Sequence, residues 1–156
     1  MRRFAGKRAL VTGGAAGIGL AAARLLAAEG ARIALLDIDA ARLDMAAAEL
    51  RGSGAEAMAI TGSVAEPEEV RAAFAELDAH WGGLDILVNN AGVIGKRAAL
   101  DLTDEAWSRV MRINLDGVFF CAREAGRRMV AQGSGAIVNV GSSYALVAAP
   151  EGRGYC

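Results

Sequence analysis

The stretch that most constrains this chain is Leu10-Val11-Thr12-Gly13-Gly14-Ala15-Ala16-Gly17-Ile18-Gly19. An apolar run, Ala9 to Val11, ends in a glycine cluster. The cluster opens into an amphipathic pattern that places Ile18, Ala22, Leu25 and Leu26 on one face. Such a pattern reads as strand, tight turn and helix. Glycines at 13, 17 and 19 allow a sharp turn and a close approach that a Cβ would block. A helix beginning there aims free N–H groups and the positive end of its dipole at the gap, which suits a pyrophosphate near Gly13, Ala16, Gly17, Ile18 and Gly19. The spacing is G-x-x-x-G-x-G, not the G-x-G-x-x-G of the general dinucleotide fingerprint. A glycine-rich turn with no ligand is the alternative.

A second apolar run, Arg32 to Leu36, ends at Asp37, which stands 24 positions beyond Gly13. A dinucleotide-binding unit places its ribose-binding acid near that spacing. A carboxylate there accepts from the ribose 2′-hydroxyl and repels a 2′-phosphate. No Arg or Lys stands inside the glycine turn or directly after Asp37, so the expected cofactor is NAD in preference to NADP. Asp37 read as a helix cap or loop carboxylate is the competing role, but Asp39 can serve as the cap.

Alternating elements follow to the end of the chain. Strands are expected at about 7–12, 32–36, 55–60, 84–88 and 136–140, with helices at about 17–29, 40–51, 67–81 and 103–131. Pro67 fits a first helical position, with Glu68 and Glu69 complementing the dipole. Thr103 is a candidate cap for the long helix, whose inward residues are expected to be Trp107, Val110, Met111, Val118 and Met129. Near-continuous apolar strands joined by helices describe a parallel sheet covered on both faces. Right-handed crossovers then give a doubly wound α/β fold with strand order 3-2-1-4-5. The 156 residues read as a single domain, 1–156.

Net charge is −1 with no basic block, so nucleic acid is not an expected partner. No apolar stretch has the length of a membrane span or a signal peptide. Arg2 and Arg3 read as solvated, and His80 as a surface residue near a helix end. Cys121 and Cys156 form no spacing pattern. Reduced thiols in a cytoplasmic protein are the expectation, with Cys121 packing inside a helix.

The remaining candidates lie where strands end, the side on which such sheets bind ligands. Ser63 and Val64 follow the third strand and are candidates for an adenine contact. Asn89-Asn90-Ala91-Gly92 follows the fourth; its amides can tie adjacent loops, and Ala91 and Gly92 leave room for a cofactor. Asn114 falls on the apolar stripe of the long helix, either as a satisfied structural amide or in a polar active-site network. Ser142 and Ser143 follow the fifth strand, and Tyr155 comes 13 residues after Ser142. A serine hydroxyl can hold a substrate oxygen and a tyrosine can pass it a proton; Tyr144 competes for the second role but is adjacent to the serines.

Together these residues resemble the short-chain dehydrogenase/reductase superfamily over the whole chain. Thr12-Gly13-x-x-x-Gly17-Ile18-Gly19 is similar to its cofactor motif and Asn89-Asn90-Ala91-Gly92 to its sheet-stabilising motif. Asn114, Ser142 and Tyr155 match three of its four catalytic positions. The resemblance implies hydride transfer between a nicotinamide and a carbonyl or secondary alcohol, hence a small-molecule alcohol or ketone substrate. Tyr155 would be the acid/base, Ser142 would orient the substrate oxygen and Asn114 would help hold a relay water. Ser63 departs from the Asp common in the family.

The family's fourth position is the lysine of Tyr-x-x-x-Lys, which would stand at 159; the chain ends at Cys156. That lysine lowers the tyrosine pKa, and an unperturbed tyrosine, at a pKa of about 10, is only about one part in a thousand ionised at neutral pH. The fifth strand is patterned for burial and would have an open edge and face. The expectation is therefore the N-terminal part of a longer enzyme, with impaired catalysis in this form. A homo-oligomer through the helix at 103–131, or a complementary C-terminal segment, is expected to complete it. The alternative is a non-catalytic nucleotide-binding module that pairs through the exposed sheet edge.

Overall fold

The structure, a computed structural model, describes residues 2–95 and 99–143. Five parallel strands, β1 (Arg8–Thr12), β2 (Arg32–Asp37), β3 (Ala57–Thr61), β4 (Ile86–Asn89) and β5 (Ala136–Asn139), form one sheet in the order β3-β2-β1-β4-β5. The expected doubly wound order is present. Helices α1 (Gly17–Ala28) and α2 (Ala40–Gly52) pack on one face. Helices α3 (Pro67–Trp81) and α5 (Gly117–Gln132) pack on the other. Alternate strand residues serve the two cores: Ala9, Val11, Ile33 and Leu35 point to the first, and Leu10, Ala34 and Leu36 to the second. A sheet buried on both faces needs apolar residues at successive positions, which is why the strands read as continuous runs.

Local chemistry sets the helix ends. The Asp39 carboxylate accepts from the Arg42 amide at 3.1 Å and caps α2. Pro67 opens α3, and Gly82, at φ 69°, closes it in the left-handed conformation. The Thr103 hydroxyl accepts from the Ala106 amide and caps α4 (Asp104–Met111).

Four expectations are corrected or refined. The helix expected over 103–131 is present but not α-helical throughout: α4 runs through a wide π-helical turn, Arg112–Asp116, into α5. Trp107 is half exposed, not inward, whereas Val110 and Met129 are buried. On α1 the inward residues are Gly19 and Ala23, while Ile18 and Leu25 are exposed at 68% and 71%. Small residues face the sheet because α1 starts directly above the glycine turn and has no space beneath it. β4 begins at Ile86 and runs on to Asn89, and β2 extends to Asp37, so Asp37 is the last residue of a strand, paired with Thr61.

Every residue of β5 is exposed, including Ile137 and Val138. Cys121 is buried, and burial pushes its thiol pKa up to about 12. His80 is exposed in the last turn of α3. Among the described residues no helix is long and apolar enough to cross a membrane.

At the amino end of the sheet, Arg8 grips Asp85 through Nε–Oδ2 at 2.8 Å and Nη2–Oδ1 at 3.2 Å, and donates to the Trp81 carbonyl and to Gln132. The guanidinium hydrogen bond holds the Asp85 carboxyl below its ordinary range. A depressed folded pKa stabilises the fold above the unfolded value, about 3.9, and that stabilisation is lost as pH falls through the folded value. Asp85→Asn is therefore expected to lower stability by about 2 kcal/mol at pH 7. In urea melts the gap between the two proteins should close below about pH 4, and a gap that persists into acid contradicts this assignment.

Candidate functional site

The site forms where β1 and β4 end side by side. Thr12, the last residue of β1, is 1% exposed, and its hydroxyl oxygen accepts from the amides of Asn90 and Ala91, each at 3.0 Å. The Asn90 side-chain amide returns two bonds, to the carbonyls of Thr12 at 3.0 Å and Gly13 at 3.2 Å. The glycine turn is fastened equally firmly to β2. The Gly13 and Gly14 amides donate to the Leu36 carbonyl, and the Ala15 amide donates to Asp37 Oδ2 at 3.2 Å.

From this base α1 begins with no side-chain cap. Ala16 is extended, makes no side-chain capping bond, and no acidic residue stands in the first turn. The first amides of a helix have no intrahelical acceptor, so the opening is an anion site. Gly17 has φ +56° and a Cβ there would meet nothing within 4 Å, so the space above it is open. At Gly19 the reverse holds: a Cβ would overlap the Gly13 carbonyl oxygen and lie 2.6 Å from Asn90 Nδ2. Gly19 is thus needed to let the helix sit on the turn.

Two cavities flank this opening. The first, about 160 Å³, is lined by Gly13, Asp37, Ser63, Val64, Ala91 and Gly92, with Ile113 and Arg109 from the helix side. Asp37 Oδ1 accepts from the Asp39 amide at 3.2 Å, so each carboxylate oxygen holds one backbone N–H and keeps lone-pair capacity for a further donor. The Ser63 hydroxyl accepts from the Ala65 amide, and the Ser63 amide donates to Glu69. The second cavity, about 500 Å³, brings together Ile18, Asn90, Asn114 and Ser142, with Ala91 and Gly92 shared between the two. Asn114 lies in the π-helical turn. Its Oδ1 accepts from the Val93 amide at 2.8 Å, and its Nδ2 donates to the Val93 carbonyl at 2.9 Å. Its side chain therefore fastens the loop after β4, with one of its two amide protons committed to Val93. A cavity of about 600 Å³ opens at the opposite end of the sheet; its charged wall is Arg2 with the Arg24–Glu49 and Arg32–Glu56 pairs, and it touches none of these groups.

The structure thus groups Gly13, Asp37, Ser63, Val64, Ala91 and Gly92 around one cavity, and Ile18, Asn90, Asn114 and Ser142 around the other. Ala16 and Gly17 stand exposed at the helix start. Tyr155, Tyr144 and Cys156 lie outside the described residues. Thr12 entered the sequence reading only as part of the glycine motif, with no role of its own. Two residues were not singled out from sequence. Arg109 and Ile113 were visible only as neighbours four apart on a helix, and a search for cations beside Asp37 in sequence does not reach Arg109.

A nicotinamide dinucleotide fits the residues present: an uncapped helix start for the pyrophosphate, a carboxylate with spare acceptor capacity for a ribose, and one cavity on each side.

The sequence profile described as short chain dehydrogenase matches residues 7–156. The chain is 46% identical over 150 residues to galactitol 2-dehydrogenase (L-tagatose-forming) of Cereibacter sphaeroides, covering 96% of this chain and 58% of that protein. It superposes with a TM-score of 0.95 and 35% identity on a short-chain type dehydrogenase/reductase from Mycobacterium marinum, covering 99% of this chain and 62% of the other. A gluconate 5-dehydrogenase from Burkholderia cenocepacia, solved in complex with NADP and tartrate, superposes with a TM-score of 0.90 and 41% identity, covering 96% and 59%. The chain spans about three fifths of the length of these proteins.

Thr12→Val keeps the shape of the side chain but leaves two amides without their acceptor. It is expected to lower stability by about 2–4 kcal/mol, since each buried orphan donor costs about 1–3, whereas Thr12→Ser should stay within about 1 kcal/mol of the parent. Chemical denaturation of the three proteins checks this; a loss for Ser with none for Val would place the effect on the methyl group.

Proposed function

The chain belongs to the short-chain dehydrogenase family, and from that premise we propose that it forms the cofactor-binding part of an NAD-dependent oxidoreductase acting on a carbonyl or secondary alcohol. The observation that carries the reading is Asp37, a carboxylate with free acceptor capacity lining the cavity beside an uncapped helix start. The residues that would hold the dinucleotide are Gly13, Ala16, Gly17, Ile18 and Gly19 at the pyrophosphate and Asp37 at the ribose. Ser63 and Val64 serve the adenine side, Ala91 and Gly92 line both cavities, and Asn90 lines the second. When bound, the nicotinamide donates or accepts the hydride.

Ser142, on the wall of the second cavity, is assigned to hold the substrate oxygen, and Tyr155 to exchange a proton with it. Asn114 acts by fixing the loop that forms the shared wall. The relatives named for galactitol and gluconate support a polyol or sugar acid as the first substrate class to assay. Tyr155→Phe is expected to reduce turnover by at least about a hundredfold while leaving the NADH dissociation constant unchanged.

NAD preference rests on charge. A 2′-phosphate brought beside Asp37 meets a like charge, whereas a ribose hydroxyl meets an acceptor. Fluorescence titration should show NADH binding about tenfold more tightly than NADPH, a difference of about 1.4 kcal/mol, and Asp37→Ala should narrow that ratio. NADPH binding as tightly as NADH would contradict the preference, and binding of neither would contradict the dinucleotide site.

A second reading is favoured by β5, whose residues are all exposed and whose Ile137 and Val138 present apolar surface. Such an edge pairs readily with another chain, in a homo-oligomer, with a further segment, or as a non-catalytic module bound to a partner. NADH binding without turnover of any alcohol or ketone, together with a partner-dependent increase in mass by sedimentation, supports the module.

A further inference from the structure

Among the described residues the Arg109 guanidinium has no partner, and it stands at the edge of the cavity beside Asp37. Other arginines of the described chain are committed: Arg24 to Glu49, Arg32 to Glu56, Arg112 to Glu66 and Arg128 to Asp78. Of the carboxylates that line the neighbouring surface hollow with Arg109, namely Glu66, Asp104 and Glu105, two are engaged. Glu66 is paired with Arg112, and Glu105, one turn earlier on α4, is hydrogen-bonded by its own amide and the Thr103 hydroxyl. The Arg109 side chain makes no hydrogen bond or ion pair among the described residues. It nevertheless lines the 160 Å³ cavity together with Ile113, one turn further on.

The chemistry of that cavity selects what a free guanidinium meets there. Its walls include Leu36, Ile38, Val64 and Ile113. An apolar slot of this kind suits a flat heteroaromatic ring and disfavours a phosphate, which Asp37 also repels. A guanidinium is planar and stacks on aromatic faces more readily than an ammonium does. Resting on the dinucleotide reading above, we propose that Arg109 is a cofactor-binding residue that lies against the adenine ring and closes the outer side of its cavity. The exposed position of Arg109 makes its replacement structurally mild.

The test is fluorescence titration of NADH and of NADPH against the parent protein, Arg109→Ala and Arg109→Lys. Arg109→Ala should weaken both nucleotides by the same factor, about fivefold, as expected for one cation–π contact. Arg109→Lys should recover no more than about half of the loss, because the ammonium lacks the flat face. Unchanged NADH affinity in Arg109→Ala overturns the proposal and leaves the dinucleotide reading intact. A loss confined to NADPH, or full recovery by Lys, overturns it in favour of a charge acting on phosphate. If the parent protein binds neither nucleotide, the dinucleotide reading fails and the proposal fails with it.

Discussion

The site depends on the paired hydrogen bonds between the Thr12 hydroxyl and the amides of Asn90 and Ala91. In a parallel sheet the ends of β1 and β4 are adjacent, but their following loops depart to opposite faces, which opens a crevice. Left to themselves the two loop backbones would present unpaired donors and acceptors to a nearly closed interior. One buried hydroxyl accepts two of those donors, and the Asn90 amide satisfies two carbonyls in return. The crevice is thereby given a fixed width. Gly19 can then rest on the Gly13 carbonyl, and the helix start is aimed at the gap.

The same economy of contact extends outward. The turn amides of residues 13 to 15 hold the end of β2, which places Asp37 beside the opening. Asn114 holds the other wall by bonding both polar groups of Val93. That bond pair needs an amide offset from regular α-helical register, and the wide turn at Arg112–Asp116 supplies the offset. Rigid backbone and committed side chains leave few groups at the site uncommitted among the described residues. Those that remain, the α1 amides, the spare lone pairs of Asp37 and the guanidinium of Arg109, are the ones available to a ligand.

Much of this was legible in the sequence, and particular residues show where legibility stopped. The strand order followed from apolar runs buried on both faces, and the glycine spacing with Asp37 pointed to the end of the sheet where the crevice opens. Large residues misled where packing was tight: Ile18 and Leu25 look like a helix stripe, yet α1 sits so close to the sheet that Gly19 and Ala23 occupy its inner face. The wide turn around Asn114 was not foreseen from the sequence; it accompanies a tertiary contact, the two bonds to Val93. Arg109 escaped because its relation to Asp37 exists only across the folded cavity. Ser142 and Asn114 were separate candidates along the chain and are brought onto one cavity by the end of β5 and the turn before α5.

The central claim is that the crevice at the ends of β1 and β4 is a dinucleotide site oriented with the adenylate toward Asp37. Backbone amide chemical shifts, followed while ADP-ribose is titrated into the labelled protein, test it most directly, because this ligand carries the adenine, the pyrophosphate and both riboses without the nicotinamide. The account predicts that the amides of Gly17, Ile18 and Gly19 move together with those of residues 37–38 and 62–64, while residues at the opposite end of the sheet, such as Arg24 and Glu49, stay still. Perturbations centred on that opposite end, or none at the start of α1, would contradict it.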